Sequence, residues 1–178
     1  MAKAHPVAGI GEDDAFASVA ARVVETRTRE LIEHAEGVLE VGDIERLHDM
    51  RVATRRLRAA LEVFEPCFPS KLFKPALRQV KDLADALGER RDGDVTLEAL
   101  DRFAAAAVRA DRPGLRSFAA AVRDEQAAAN LRLAPSVAPE RLEALGKQLL
   151  ELVAAADSLV GGPAVEPAPV SSNGGDPG

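Results

Sequence analysis

Apolar residues recur at intervals of three and four along residues 13–160, the pattern of helices that each bury one face. The spacing predicts six helices, over residues 13–36, 43–64, 70–90, 95–109, 113–133 and 139–159. No run alternates apolar and polar residues between turn signals, so no strand is predicted. The expected fold class is therefore all-α, an antiparallel helical bundle with short connections.

Residues that start or stop helices stand between these segments. Gly37 follows the first segment, Glu65-Pro66 ends the second, and Pro113 and Pro139 open the last two. The stretch Arg91-Asp92-Gly93-Asp94 is expected to form a turn, with Asp94 as the N-cap of the fourth helix.

The two ends of the chain differ in composition from the rest. Residues 161–178 are half Gly or Pro, and residues 1–11 hold scattered Gly and Pro. Such segments bury too little apolar surface to offset the entropy of ordering them. We therefore expect one helical domain over 12–160, between a disordered N-terminus, 1–11, and a disordered tail, 161–178.

Composition narrows the class of protein. A chain of 178 residues, 47% of them hydrophobic, is long enough for one domain with a real core. Cys67 is the one cysteine, which excludes a disulfide framework and a cysteine-based metal site. No apolar run approaches the ~20 residues that cross a bilayer, and the first residues lack the hydrophobic stretch of a signal peptide. A cytoplasmic protein without membrane contact is expected.

Charge is distributed unevenly along the chain. The formal net charge is −6, yet the block from Arg46 to Arg91 carries +5 and the remainder −11. Such a chain collects positive charge in one place and repels polyanions elsewhere. Because Trp and Tyr are absent, stacking of unpaired bases is disfavoured, and nucleic acid is expected to be a weak partner at most.

Basic side chains form a stripe on the predicted second helix. His48, Arg51, Arg55 and Arg58 fall within an arc of about 80° at 100° per residue. Apolar residues such as Leu57 and Leu61 lie on the opposite side, and Arg56 lies beside the edge of the stripe. The third helix repeats the arrangement with Lys71, Lys74, Arg78 and Lys81.

The two stripes are expected to share one groove, because a short turn makes the helices antiparallel neighbours. Arg90 and Arg91 would stand at one end of it. Like charges at i,i+4 cost ~0.2–0.5 kcal/mol per pair, a cost that a multiply charged anion would remove. The alternative is a solvated surface whose cations pair with acidic helices of the same chain.

Two blocks of sequence carry a family resemblance: HDMRVATRRLRAALEVF, residues 48–64, and LFKPALRQVKDLADALGERRDGDV, residues 72–95. Together they resemble the CHAD family, the conserved-histidine α-helical domains. The resemblance implies a non-catalytic domain that binds inorganic polyphosphate, without cofactor or metal, in the cytoplasm or at polyphosphate granules. The binding residues that it implies are His48, Arg51, Arg55, Arg56, Arg58, Lys74, Arg78, Lys81, Arg90 and Arg91. Asp92 and Asp94 match the family's aspartates, and we interpret them as structural, a turn and a cap.

One feature departs from the family. The usual domain has two similar halves around a basic channel, each half with a His-x-x-Arg helix, but this motif does not recur after residue 110. The chain thus resembles one half, or a shortened form, of the two-bundle domain. We expect two chains to associate about a two-fold axis and rebuild the channel; the alternative is a monomer with an open basic groove.

The sequence leaves two alternative functions open. A metal-dependent polyphosphate or triphosphate hydrolase would need clustered carboxylates or a phosphate-binding loop. The chain contains neither Gly-x-x-x-x-Gly-Lys-Ser/Thr nor His-Glu-x-x-His, and Asp92 and Asp94 are the nearest carboxylates. A purely structural dimerisation domain is the remaining alternative.

Overall fold

The structure is a computed structural model that describes residues 3–160. Its helices are α1 (Phe16–Glu33), α2 (Ile44–Val63), α3 (Ser70–Ala106), α4 (Arg112–Leu133) and α5 (Pro139–Val160), with 3₁₀ turns at Glu65–Cys67 and Ala134–Ser136. No strand occurs within the described residues, so the predicted all-α bundle is confirmed. The predicted tail, 161–178, lies outside them. Nor does this part of the chain contain a helix long and apolar enough to cross a membrane.

The core lies between α1, α2, α5 and the first half of α3. α1 packs against α2 and α5, and α3 packs against α2, α4 and α5. Each of these helices buries an apolar stripe, which includes Val24, Leu31, Leu47, Leu57, Leu61, Phe73, Val80, Leu87, Leu149 and Leu152. Burying one such leucine fully is worth about 1.5–3 kcal/mol, so the orientation of each helix is firmly set.

A short connection joins α2 to α3. Phe68 stacks on Phe73 with the ring centroids 6.1 Å apart, and Cys67 is buried beside them in the core. Burial raises the pKa of the Cys67 thiol, so this cysteine is a packing residue in its neutral form. The connection leaves α2 and α3 as antiparallel neighbours.

α3 continues without a break through the segment predicted to be a turn. Residues 91–94 are helical, so the predicted third and fourth helices are one helix of 37 residues, about 55 Å long. The predictions of a turn at Asp92 and of a cap at Asp94 are therefore wrong. Asp94 is buried in mid-helix, where its carboxylate accepts hydrogen bonds from Arg90 and from Gln126 of α4. These contacts outweigh the local preference of Asp and Gly for turns.

Gly93 lies where Gln126 of α4 packs closely on α3. A Cβ placed on Gly93 would lie 3.0 Å from the Cβ of Gln126, whose amide donates to Asp94 and cannot easily move. A Cβ on Gly88, in the same helix, would meet no atom within 4 Å. The glycine at position 93 therefore serves the packing of α4 on α3.

These two glycines provide a matched test of that packing. We expect Gly88→Ala to raise the free energy of unfolding by about 0.5–1 kcal/mol, the gain in helix propensity. Gly93→Ala should lower it instead, because the new methyl group overpacks the helix crossing. Urea denaturation of both variants measures the difference, and an equal gain at the two positions would show that α4 does not constrain Gly93.

The segment before α1 lies along that helix. The backbone amide of His5 donates to Glu30, whose carboxylate also accepts a 2.6 Å hydrogen bond from Arg27. Burial acts to raise the pKa of Glu30, but the hydrogen bonds from Arg27 and His5 outweigh it, and the net shift is downward. Glu30 is thus charged at neutral pH and connects residues 3–15 to the bundle.

Candidate functional site

α2 positions the first basic stripe. Its face with Leu47, Leu57 and Leu61 is fully buried, so the opposite face is directed away from the core. Arg51 and Arg58 lie there half-buried, with Arg55 exposed between them. The predicted arginine stripe is therefore present on the surface of the bundle.

A groove of about 380 Å³ separates this stripe from α3. Arg51, Arg55 and Arg58 of α2 line one wall, and α3 forms the other wall with Asp85, Glu89 and Asp92 and with the uncharged Ala84 and Gly88. Glu89 also forms a salt bridge of 3.3 Å with Arg132 of α4. The wall that faces the α2 arginines is thus acidic, and the expectation that the lysines of α3 would lie there is wrong.

The lysines and arginine of α3 occupy the same face of that helix as the acidic wall, one to three turns earlier in the helix. Lys74 and Arg78 are exposed and Lys81 is half-buried. At 100° per residue they share an arc of about 60° with Asp85, so the stripe changes sign along one face of α3. Because α2 and α3 are antiparallel, the basic part of α3 lies beside the C-terminal end of α2.

The two stripes meet at Glu62, near the end of α2. Its carboxylate lies 3.0 Å from Arg58 Nε and 3.3 Å from Lys81 Nζ. The hydrogen bond from Arg58, aided by that from Lys81, holds the pKa of Glu62 below its ordinary value although burial opposes the shift. Glu62 is therefore an anion at neutral pH that joins a cation of α2 to a cation of α3.

The stripes accordingly join end to end and form one surface, which we name the basic path. The path consists of Lys74, Arg78, Lys81, Arg58, Arg55 and Arg51. Each of its two legs, on α3 and on α2, is about 10.5 Å long. Within residues 3–160, four members form no salt bridge within 4.0 Å: Arg51, Arg55, Lys74 and Arg78. These four cations are available to an external anion.

Two further predicted residues lie at the margin of this surface. His48 is half-buried one turn before Arg51 on the same face of α2, where it extends the path. Arg56 is half-buried and lies off the stripe, as its helical position predicts, and it makes contacts within the chain.

Arg90 and Arg91 do not stand at the end of the groove. Arg90 is fully buried; its guanidinium donates to Asp94 and, at 3.2 Å, to Asn130 of α4. Asn130 in turn donates to the carbonyl of Leu39 at 3.0 Å. Arg91 is 16% exposed and lies 3.7 Å from the second carboxylate oxygen of Asp94. The structure therefore places both arginines at the α3–α4 packing interface, because Asp94 compensates their charge there.

Neither the acidic wall nor the joining role of Glu62 was predicted from the sequence. One signal was available, since Asp85, Glu89 and Asp92 continue the i,i+4,i+7 spacing of the basic stripe on α3. Their position opposite the α2 arginines, however, depends on how the two helices pack. No group of three or more His, Cys, Asp or Glu side chains that could hold a metal ion occurs in the described part of the chain.

Fold and surface together define an all-α bundle that displays a cationic path across two antiparallel helices. The family model of the CHAD domain matches residues 22–172, and the chain belongs to the CHAD family. This family is linked to polyphosphate binding. No curated protein and no solved structure matches the chain.

Proposed function

We propose that this chain binds inorganic polyphosphate along the basic path and does not hydrolyse it. The observation that carries the proposal is the continuity of the path: six cations follow one another over two helices, and four of them have no ion-pair partner in residues 3–160. Arginine offers planar forks that match phosphate oxygens, and the membership of the CHAD family points to the same ligand.

The geometry of the path favours a chain of phosphates over a single phosphate. Orthophosphate can reach one or two of the cations, whereas a longer chain can follow the leg on α3 and continue along the leg on α2. Affinity should therefore rise with the number of phosphates until both legs are covered. Asp85 and Asp92 on the facing wall weaken the local positive potential, which further disfavours ligands of low charge.

Titration with polyphosphates of defined length, at several salt concentrations, tests the proposal. We expect Kd to fall with chain length and to rise steeply with salt, as for other complexes of a polyanion with Lys and Arg. Duplex DNA added as competitor should displace long polyphosphate poorly, because the chain outside the basic block is strongly acidic. Binding that is independent of salt, or release of orthophosphate on addition of Mg²⁺, would contradict the proposal.

Removing the charge of Glu62 should strengthen binding. Glu62→Gln frees Arg58 and Lys81 from their shared carboxylate, so we expect Kd for long polyphosphate to fall by about three- to tenfold at pH 7, up to about 1.4 kcal/mol. Glu65→Gln removes the same charge from a nearby exposed residue and should change Kd by less than about twofold. Calorimetric titration of both variants measures the effect; equal changes would show that only net charge matters.

The pH dependence follows from the lowered pKa of Glu62. The carboxylate remains charged down to pH values below its ordinary pKa, so its effect on Kd should be constant near neutral pH and should vanish only when acid protonates it. The affinity of the unmodified chain should therefore approach that of Glu62→Gln as the pH falls through this lowered value.

We also propose that two chains associate about a two-fold axis, since the His-x-x-Arg motif occurs once in this sequence. Such a pair would present two basic paths to one ligand and increase its effective affinity. Gel filtration with light scattering should show twice the mass of the chain, and a monomer at high protein concentration would exclude the pair.

A further inference from the structure

A second groove, of about 510 Å³, opens between the distal parts of α3 and α4. It lies beyond the end of the core, which reaches α3 only as far as Leu87 and α4 only at Leu133. Its apolar lining comes from both helices and consists of Leu100, Ala104, Ala105, Leu115 and Ala119. Its charged lining consists of Arg112, Arg116, Arg123 and Asp101.

The three arginines follow one face of α4. They are four and seven residues apart, so they share an arc of about 40° and span about 16 Å. All three are exposed, and none of them forms a salt bridge with any residue in 3–160. Arg132, on another face of the same helix, pairs with Glu89 and with Glu125. The three arginines of the groove thus differ from Arg132, since they form no salt bridge within the described residues.

The groove carries a positive excess over an apolar floor. Asp101 is the one acidic residue in its lining, against three arginines. The groove of the basic path, in contrast, has three acidic residues and only Ala84 and Gly88 as uncharged lining. An inorganic polyanion gains nothing from an apolar floor, because it has no apolar surface to bury. The second groove therefore suits a different ligand.

We propose that this groove binds an amphiphilic organic phosphate, whose apolar part packs on Leu100 and Leu115 while its phosphate groups contact Arg116 and its neighbours. The volume lies within the ~300–1,000 Å³ range of small-molecule sites. Guanidinium forks supply the phosphate contacts, and the leucine and alanine side chains supply apolar area. A nucleotide and an alkyl phosphate both present this chemistry. The proposal goes beyond polyphosphate binding and does not depend on it.

The test uses the full chain carrying Arg51→Glu and Arg55→Glu, so that the basic path is inactivated. We expect ATP or decyl phosphate, the latter below its micellar concentration, to bind in calorimetric titrations. Adenosine and inorganic tripolyphosphate should bind at least tenfold more weakly, since each lacks one half of the required chemistry. Binding of ATP alone would identify the ligand as a nucleotide. Binding of decyl phosphate alone would identify it as an alkyl phosphate. Either result supports the proposal.

Two pairs of variants locate the site. Arg116→Glu with Arg123→Glu should weaken binding at least tenfold, whereas Arg102→Glu with Arg109→Glu, the same charge change outside the groove, should not. Ala105→Asp should weaken it as well, whereas Ala106→Asp, next to it but outside the lining, should leave it unchanged. Thermal denaturation confirms that each variant is folded. The proposal fails if neither amphiphile binds, if tripolyphosphate binds as tightly as ATP, or if the groove variants bind like their controls.

Discussion

Replacing Arg51 and Arg55 together by glutamate is expected to weaken binding of long polyphosphate at least about a hundredfold. Hydrogen bonds to charged groups contribute about 1.5–3 kcal/mol each, so the loss of two corresponds to two or more orders of magnitude in Kd. Neither arginine has a salt bridge within residues 3–160, so the substitutions remove contacts with the ligand and break no internal ion pair. The new glutamates also repel the ligand, together with Asp85 on the opposite wall.

A double variant with the same charge change provides the control. Arg109 is exposed in the loop after α3 and Arg102 is exposed near the end of α3, both beyond the acidic wall and away from the basic path. Changing these two residues to glutamate should leave Kd within about threefold of the unmodified chain, because exposed charges beyond a Debye length are largely screened. If both double variants lose affinity equally, binding follows net charge and the basic path is not the site.

Arg90→Met is expected to lower the free energy of unfolding by about 3–5 kcal/mol, the usual cost of breaking a buried ion pair from one side. The guanidinium of Arg90 is fully buried, so the substitution leaves Asp94 without its main counter-charge in the interior. It also removes the hydrogen bond to Asn130, which connects α3 to α4 and, through Leu39, to the segment before α2. Chemical denaturation measures the loss.

Two comparisons distinguish the contribution of Arg90 to stability from a contribution to ligand binding. Arg102→Met, on the exposed part of α3, should change stability by no more than about 0.5 kcal/mol. Arg90→Met with Asp94→Leu should recover part of the loss, since it removes the buried charge as well. At a temperature where Arg90→Met is folded, its Kd for polyphosphate should equal that of the unmodified chain. A higher Kd in the folded variant would show instead that Arg90 contributes to polyphosphate binding.

The family and the fold class could be predicted from the sequence because both depend on local patterns. The three-to-four spacing of apolar residues specifies helices, and it was correct for α2 within one residue at each end. The spacing of Arg51, Arg55 and Arg58 likewise specifies one exposed face, since the leucines of the same helix must be buried. A helical wheel needs no knowledge of the neighbouring helices.

The segment 91–94 shows where local patterns mislead. Asp and Gly favour turns in isolated chains, and a pair of arginines beside them is typical of an exposed segment. In the structure, Arg90 and Asp94 satisfy each other within one helix, and Gly93 allows Gln126 to approach. The burial of this pair depends on α4, whose Gln126 and Asn130 lie more than thirty residues further along the chain, so no local window could reveal it.

The order of residues along the chain determined the helices, the basic block and the family, because helix periodicity and charge are properties of nearby residues. Tertiary packing decided how the charges are combined. It joined the two basic stripes end to end at Glu62, placed acidic residues of α3 opposite the arginines of α2, and withdrew Arg90 into the interior. The physical reason is that an ion pair between helices forms only where their apolar faces, packed in one register, bring the two charges within a few ångströms.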